Sequence, residues 1–184
     1  LIQCIDKKLD FRSVKGIAYK NKDGNIITNE RRNRITNIDD IPYPDWNSWS
    51  INEYIDHQQI TGVNLGRGIP ILGTRGCPYD CTFCSNDRMW TKRFIMRSPK
   101  NLVDEMEWLI SEFGTTSFEF YDLTAIIKKG WTLEFCNELK KRNFNNITWQ
   151  LPVGTRTEAL DEATLQAIYD TGCRFITYAP ESGS

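Results

Sequence analysis

Three cysteines stand at positions 77, 81 and 84, inside the stretch "TRGCPYDCTFCSND" that runs from Thr74 to Asp87. Half of the chain's six cysteines thus fall within eight residues. Thiolates favour zinc, copper(I) and iron–sulfur clusters. A structural zinc site closes four positions, usually with two cysteine pairs. Here no second pair exists: Cys4, Cys136 and Cys173 are isolated, and His57 is the only histidine. A four-iron cluster held by Cys77, Cys81 and Cys84 would instead keep one iron open for an exogenous ligand. Two other readings use the same residues. A zinc-binding structural or interaction module would add Cys136, Cys173 or His57 to the three. A simple ferredoxin would need a fourth cysteine nearby, and the sequence has none. The three isolated cysteines read as small buried apolar residues.

The elements around the loop say where it must sit. "IPILGTR" is a short apolar strand running straight into the cysteines. "SPKNLVDEMEWLISEFG" has helical spacing of Leu102, Val103, Met106, Leu109, Ile110 and Phe113, with Ser98 as N-cap, Pro99 in the first turn and Gly114 as the stop. "TSFEFYD" alternates as a strand. A second helix is predicted near Thr132–Arg142 and a third strand in "NITWQLPVG". A third helix lies in "LDEATLQAIYDTG", opened by Asp161 and stopped at Gly172, and a fourth strand in "CRFITYAP". This alternation predicts a parallel sheet with right-handed crossovers, either doubly wound or a (β/α) barrel. In both, ligands bind at the loops that follow the strands, which is where the cysteines lie.

Ahead of this array the texture differs. "VKGIAYK" and "NIITN" flank "NKDG" as a hairpin with an Asp-Gly turn. "IDDIPYPDWNSW" is an extended connection anchored by aromatics, and "GVNLGRG" is expected to be a flexible approach to the first barrel strand. The chain therefore divides at 61/62. Over its 184 residues the net charge of −1 gives no electrostatic case for a nucleic-acid partner. There is no run long and apolar enough for a membrane span, and the N-terminal stretch is a poor signal peptide. An exposed iron–sulfur cluster, which needs a reducing, low-oxygen setting, would place the protein in the cytoplasm.

Cys77-x3-Cys81-x-Phe83-Cys84 after a strand that opens a βα array resembles the cluster loop of the radical S-adenosylmethionine superfamily. "RSPKNLVDEMEWL", "FEFYD" and "TGCRFITYAPESGS" resemble the branch that carries a cobalamin-binding domain ahead of the barrel. "GIAYKNKDGNIITN" with "IDDIPYPDW" resembles the end of that domain and its connection. The resemblance implies an α/β fold. Residues 1–61 would be the end of an upstream cobalamin-binding-like domain plus linker, and 62–184 the first part of a radical SAM barrel, about four of six βα units.

It further implies a [4Fe-4S] cluster on Cys77, Cys81 and Cys84 that cleaves S-adenosylmethionine reductively. The work would be that of a cobalamin-associated methyltransferase, cyclase or rearrangement enzyme on a small-molecule or peptide substrate. A flavodoxin- or ferredoxin-like donor would supply the electron. Phe83 would lie near the adenine, its alternative being a core-facing ring. Tyr121 or Asp122 would receive the methionine amino group, Asp122 having a helix N-cap as its alternative. Arg156 would grip the carboxylate, its alternative being a solvated surface arginine. Glu181 and Ser182 would hold the ribose, the alternative for "ESGS" being a plain turn. Cobalamin, if used, would be bound mainly upstream, because the family's Asp-x-His-x-x-Gly loop is absent. In "DHQQITG" Asp56 and His57 are adjacent, so His57 reads as a surface or cap residue.

Overall fold

The computed structural model describes residues 1–89, 92–180 and 182, with the side chain of Asp87 excepted. It divides into two compact units, Leu1–Thr36 and Asn37–Ser184.

The first unit holds a short helix α1 (Ile2–Asp6) and the expected hairpin, β1 (Ala18–Lys20) against β2 (Ile26–Thr28), antiparallel with Tyr19 opposite Ile27. The turn uses Gly24 at φ +85°, and the Asn21 side chain accepts from the backbone of Asp23 and Asn25. Glycine and Asx chemistry supply this turn locally, which is why the sequence predicts it.

In the second unit the connecting segment leads through α2 (Ile51–Asp56) to β3 (Gly68–Ile71). There the strand is interrupted. Two residues later β4 (Thr74–Arg75) pairs antiparallel with β5 (Ile95–Met96), Thr74 opposite Met96 and Arg75 opposite Ile95. All three clustered cysteines lie in the loop that this ribbon closes, along with the short helix α3 (Asn86–Met89). The single strand expected over "IPILGTR" is thus two strands of different sheets.

Helix α4 (Pro99–Phe113) follows, then β6 (Ser117–Phe120), α5 (Lys129–Arg142), β7 (Thr148–Thr155), α6 (Glu162–Asp170) and β8 (Cys173–Tyr178). Strands β3, β6, β7 and β8 form one parallel sheet in chain order. A doubly wound sheet reverses its strand order, whereas a (β/α) barrel does not. The unreversed order, with a helix in each later crossover, is that of a partial barrel.

The sheet's helix-side face and α4–α6 enclose the apolar core, in which Ile69, Leu102, Met106, Phe118, Phe135, Trp149 and Ile168 are essentially inaccessible. Phe120, Phe135 and Trp149 meet edge-on or tilted at 5.5–5.6 Å between ring centroids. Helix α4 has the caps its sequence predicts. Ser98 accepts from the Asn101 N–H at 3.2 Å, and Gly114 ends the helix at φ +61°. Helix α5 begins at Lys129, earlier than expected, with no side-chain cap at Lys128.

The inner face of the sheet is polar. Glu119 and Gln150 are both fully buried there. The carboxylate of Glu119 accepts from the Tyr121 hydroxyl at 2.9 Å, and the Gln150 amide bridges Val63. A Cβ at Gly62 would come within 2.0 Å of Gln150 Oε1, and one at Gly66 (φ +135°) within 2.4 Å of Thr116 Oγ1. "GVNLGRG" is therefore a tightly packed floor to the barrel, not the flexible approach expected from its glycines.

Candidate functional site

The cysteine loop leaves the carboxyl end of β3 and stands on the side where (β/α) sheets bind their ligands. Gly76 sets its first turn at φ +87°, and a Cβ there would fall 2.2 Å from the carbonyl oxygen of Arg93, two residues ahead of β5. The loop closes on itself by Cys84 N–H to the Cys81 carbonyl (3.0 Å) and by the Asn86 amide to the Cys77 carbonyl (3.2 Å). Asn86 is buried, and its Oδ1 has no partner among the described residues. Lys92 pairs with Asp80 across the loop.

All six cysteines are free thiols. Cys77 and Cys81 are half-buried and Cys84 is exposed, while Cys4, Cys136 and Cys173 are buried. Burial pushes the Cys136 thiol up, against a hydrogen bond from Thr171, and pushes Cys173 up to about 12. In the metal-free chain those two buried sulfurs stay neutral thiols. Cys173 also opens β8, at the opposite end of the sheet from the loop, and Cys136 lies beside Thr171 near that end. His57 ends α2 with Nδ1 2.7 Å from the Glu53 carbonyl, a cap residue as its spacing suggested. The zinc reading therefore loses each of its fourth ligands. Among the described residues no three His, Cys, Asp or Glu side chains converge on one ion. Thiolates on separate irons of a cluster need no such convergence, and three accessible thiols on one loop match a cluster's donor set.

The other expected site residues fall into three groups. Phe83 and Arg156 belong to the loop's surroundings. Phe83 is 69% exposed, so it is not a core ring. Arg156, just past β7, lies with its guanidinium 4.1 Å over the ring of Tyr79, between the first two cysteines, and pairs with Glu158 at 2.8 Å. It is solvated, yet it is seated against the cysteine loop.

Tyr121 and Asp122, at the end of β6, are committed to protein partners. The Tyr121 hydroxyl meets Thr61 Oγ1 at 2.8 Å and Glu119 at 2.9 Å. Asp122 is 2% exposed and accepts from the Gly73 N–H (3.1 Å) and the Thr74 hydroxyl. Burial raises its carboxyl to about 6, against those same hydrogen bonds. It does not cap α5, which starts seven residues later. Ser182 is exposed, its N–H 2.6 Å from the Pro180 carbonyl, and Glu181 lies outside the described residues.

Sequence reasoning missed Arg97 and Glu105. Their side chains are 11% and 5% exposed and form an ion pair behind the loop. A signal existed: Glu105 lies beside Met106 on the apolar stripe of α4, where a carboxylate needs a partner.

No protein-family model matches the chain. It is 26% identical, over its whole length, to an uncharacterized methyltransferase of Pyrococcus horikoshii, covering 38% of that protein. It is 30% identical, over 95% of its length, to an anaerobic magnesium-protoporphyrin IX monomethyl ester cyclase of Rubrivivax gelatinosus, covering 30% of it. The chain thus spans about a third of the length of these curated relatives. In fold it matches the cobalamin-dependent S-adenosylmethionine radical enzyme OxsB, with a TM-score of 0.76 and 20% identity, over all of this chain and 26% of that one. The radical S-adenosylmethionine methyltransferase TsrM from Kitasatospora setae matches over 97% of this chain and 34% of its own, with a TM-score of 0.65 and 17% identity. Solved forms of OxsB hold aqua-cobalamin and S-adenosylmethionine, and one of TsrM holds cobalamin and a [4Fe-4S] cluster. Cysteine spacing, the unreversed βα array and these likenesses agree: along its length the chain is similar in sequence to a segment of a methyltransferase and a cyclase, and in fold to a segment of cobalamin-dependent radical S-adenosylmethionine enzymes.

Proposed function

We propose that this chain carries the cluster- and S-adenosylmethionine-binding segment of a radical enzyme, a methyltransferase, cyclase or rearrangement enzyme acting on a small-molecule or peptide substrate. The observation that carries the reading is the placement of three free, solvent-reachable thiols on one loop at the ligand end of a (β/α) sheet. Cys77, Cys81 and Cys84 would hold a [4Fe-4S] cluster. Such a cluster, when bound and reduced, would supply the electron for reductive cleavage of S-adenosylmethionine at its sulfonium carbon–sulfur bond.

The protein's own part is to orient the ligand. Arg156 is seated to grip the methionine carboxylate with its two-pronged guanidinium, steadied by Tyr79 and Glu158. The methionine amino group is assigned to the corner at the end of β6, beside Tyr121, which the buried Asp122 shapes through Gly73 and Thr74. The ribose is assigned to Glu181 and Ser182, and the adenine to the exposed face of Phe83. Residues 1–61 are taken as the end of an upstream cobalamin-binding-like domain with its linker, and 62–184 as the opening of the barrel. Cobalamin itself would be bound mainly outside the chain. A flavodoxin- or ferredoxin-like protein in a reducing cytoplasm would deliver the electron. No helix among the described residues is long and apolar enough to cross a membrane.

The test is anaerobic purification of the full-length protein. A brown protein that loses visible absorbance on reduction, and that yields 5′-deoxyadenosine from S-adenosylmethionine with dithionite, is expected. A colourless zinc protein that yields none would overturn the reading.

A further inference from the structure

The cysteine ribbon branches from the barrel at a single break, Leu72–Gly73, between β3 and β4. That break is the hinge between the two halves of the site, because the cysteines lie beyond it and the ligand-orienting strand ends lie on the sheet before it. Its peptide groups are almost wholly accounted for by two residues. From one side the Arg97 N–H donates to the Gly73 carbonyl at 2.9 Å, and the Arg97 guanidinium donates to the Leu72 carbonyl at 3.1 Å. From the other side the Asp122 carboxylate accepts from the Gly73 N–H and the Thr74 hydroxyl. Gly73 is closely packed as well, since a Cβ would lie 3.2–3.3 Å from the side chains of Phe120, Trp131 and Leu102.

Arg97 is held as firmly as it holds. Its Nε donates to Asn101 Oδ1 at 2.8 Å and its remaining nitrogen to the Asn101 carbonyl at 3.2 Å, while Glu105 takes the ion pair. The guanidinium also lies 5.4 Å over the Tyr43 ring, and the Arg97 carbonyl accepts from the Trp131 indole at 2.7 Å. One residue therefore joins the break to α4, to α5 and to the connecting segment. A buried ion pair contributes little net stability compared with apolar residues of the same volume, and its attested value is in fixing one geometry. Lysine offers no equivalent, because a single ammonium lacks the planar fork that serves Leu72, Asn101 and Glu105 together.

We infer that Arg97, oriented by Glu105, is a positioning residue that sets the angle of the cysteine ribbon to the barrel, and hence the placement of the cluster's open iron relative to the bound ligand. The inference rests on the radical reading above. It separates two properties that a merely structural residue would lose together: holding the cluster, which needs only the loop, and coupling it to S-adenosylmethionine, which needs the loop at the right angle.

The experiment uses the full-length enzyme, reconstituted anaerobically, with Arg97→Lys and Glu105→Gln. Iron content, melting temperature, the dithionite-driven rate of 5′-deoxyadenosine formation and the paramagnetic resonance of the reduced cluster with and without S-adenosylmethionine are measured. The expected result is wild-type iron content, with the ligand-induced spectral change reduced or broadened and cleavage at least about tenfold slower at saturating S-adenosylmethionine. Wild-type cleavage and spectra in both variants would overturn the inference. So would losses of activity that match the losses of iron, or of folded protein, in each variant. Should Arg97→Lys fail to fold, Glu105→Gln, which keeps the shape and removes only the counter-charge, decides alone by the same criteria. If the wild-type enzyme itself neither binds iron nor cleaves S-adenosylmethionine, it is the radical reading that fails.

Discussion

The guanidinium of Arg156 lies 4.1 Å above the ring of Tyr79. Tyr79 belongs to the cysteine loop and Arg156 to the end of β7, two strands across the sheet. The contact brings a fixed positive charge to the loop's surface, where the carboxylate of an amino-acid ligand on the open iron would need one. Replacing Arg156 by Ala is expected to weaken S-adenosylmethionine binding by about tenfold or more, the usual cost of a lost charge-assisted bond. Iron content should be unchanged. Equilibrium binding to the reconstituted enzyme measures it. Added salt should weaken the wild-type affinity more than the variant's, because the site is open to solvent.

The cysteines divide by environment. In the cluster-free protein, Cys77, Cys81 and Cys84 should alkylate readily with iodoacetamide. Cys136 and Cys173 should resist until the chain unfolds, because burial keeps both as neutral thiols. Changing any loop cysteine to Ala should abolish cluster binding and turnover. Changing Cys136 or Cys173 to Ser should leave iron content intact and lower the melting temperature, since a hydroxyl replaces a buried sulfur. Mass mapping of the alkylated sites and iron analysis are the readouts.

Gly76→Ala is expected to damage the loop without touching a ligand. The residue sits at φ +87° with the Arg93 carbonyl where a Cβ would be, so both the conformation and the contact oppose a side chain. The left-handed conformation alone costs about 1–2 kcal/mol for a residue other than glycine, and the backbone clash adds to it. Reduced iron retention with a lower melting temperature is the expected result. Gly130→Ala, where nothing lies within 4 Å, is the matched control and should behave as wild type.

Asp122 gives a pH dependence whose direction follows from its burial. Its carboxyl titrates near 6 in the folded chain against a reference of 3.8, so the folded protein holds the proton more tightly than the unfolded one. The contribution to stability is complete below about pH 4 and is lost as pH rises through 6. It amounts to about 3 kcal/mol by linkage. Denaturant melts across pH 4–7 should show wild-type stability falling relative to Asp122→Asn, whose side chain does not titrate. Parallel curves for the two proteins would remove Asp122 from the account.

The elements legible in the sequence were those whose ends are chemically local. Ser98, Pro99 and Gly114 mark α4, and Asp161 marks α6, because each cap bonds within its own turn. Helix α5 has no capping side chain, and its start was misplaced by three residues for that reason. The break in "IPILGTR" was invisible because Arg97 and Asp122, which hold it, lie 24 and 49 residues beyond Gly73. The glycines of "GVNLGRG" read as flexible because their neighbours, Gln150 and Thr116, are distant in the chain. That three thiols share one loop was legible from spacing alone. What orients it was not, since that depends on a buried arginine whose partners come from three separate elements.

The ribbon closed by Thr74 and Met96 has its own pairing, independent of the parallel sheet. The barrel's frame resumes at Arg97 and Ser98, whose backbone groups are tied to Gly73 and Asp39. The reactive loop is accordingly a detachable cassette between two fixed anchor points. The strand register of the parallel sheet is thereby set without the loop, and the loop's geometry is set by how it is tied at those two points.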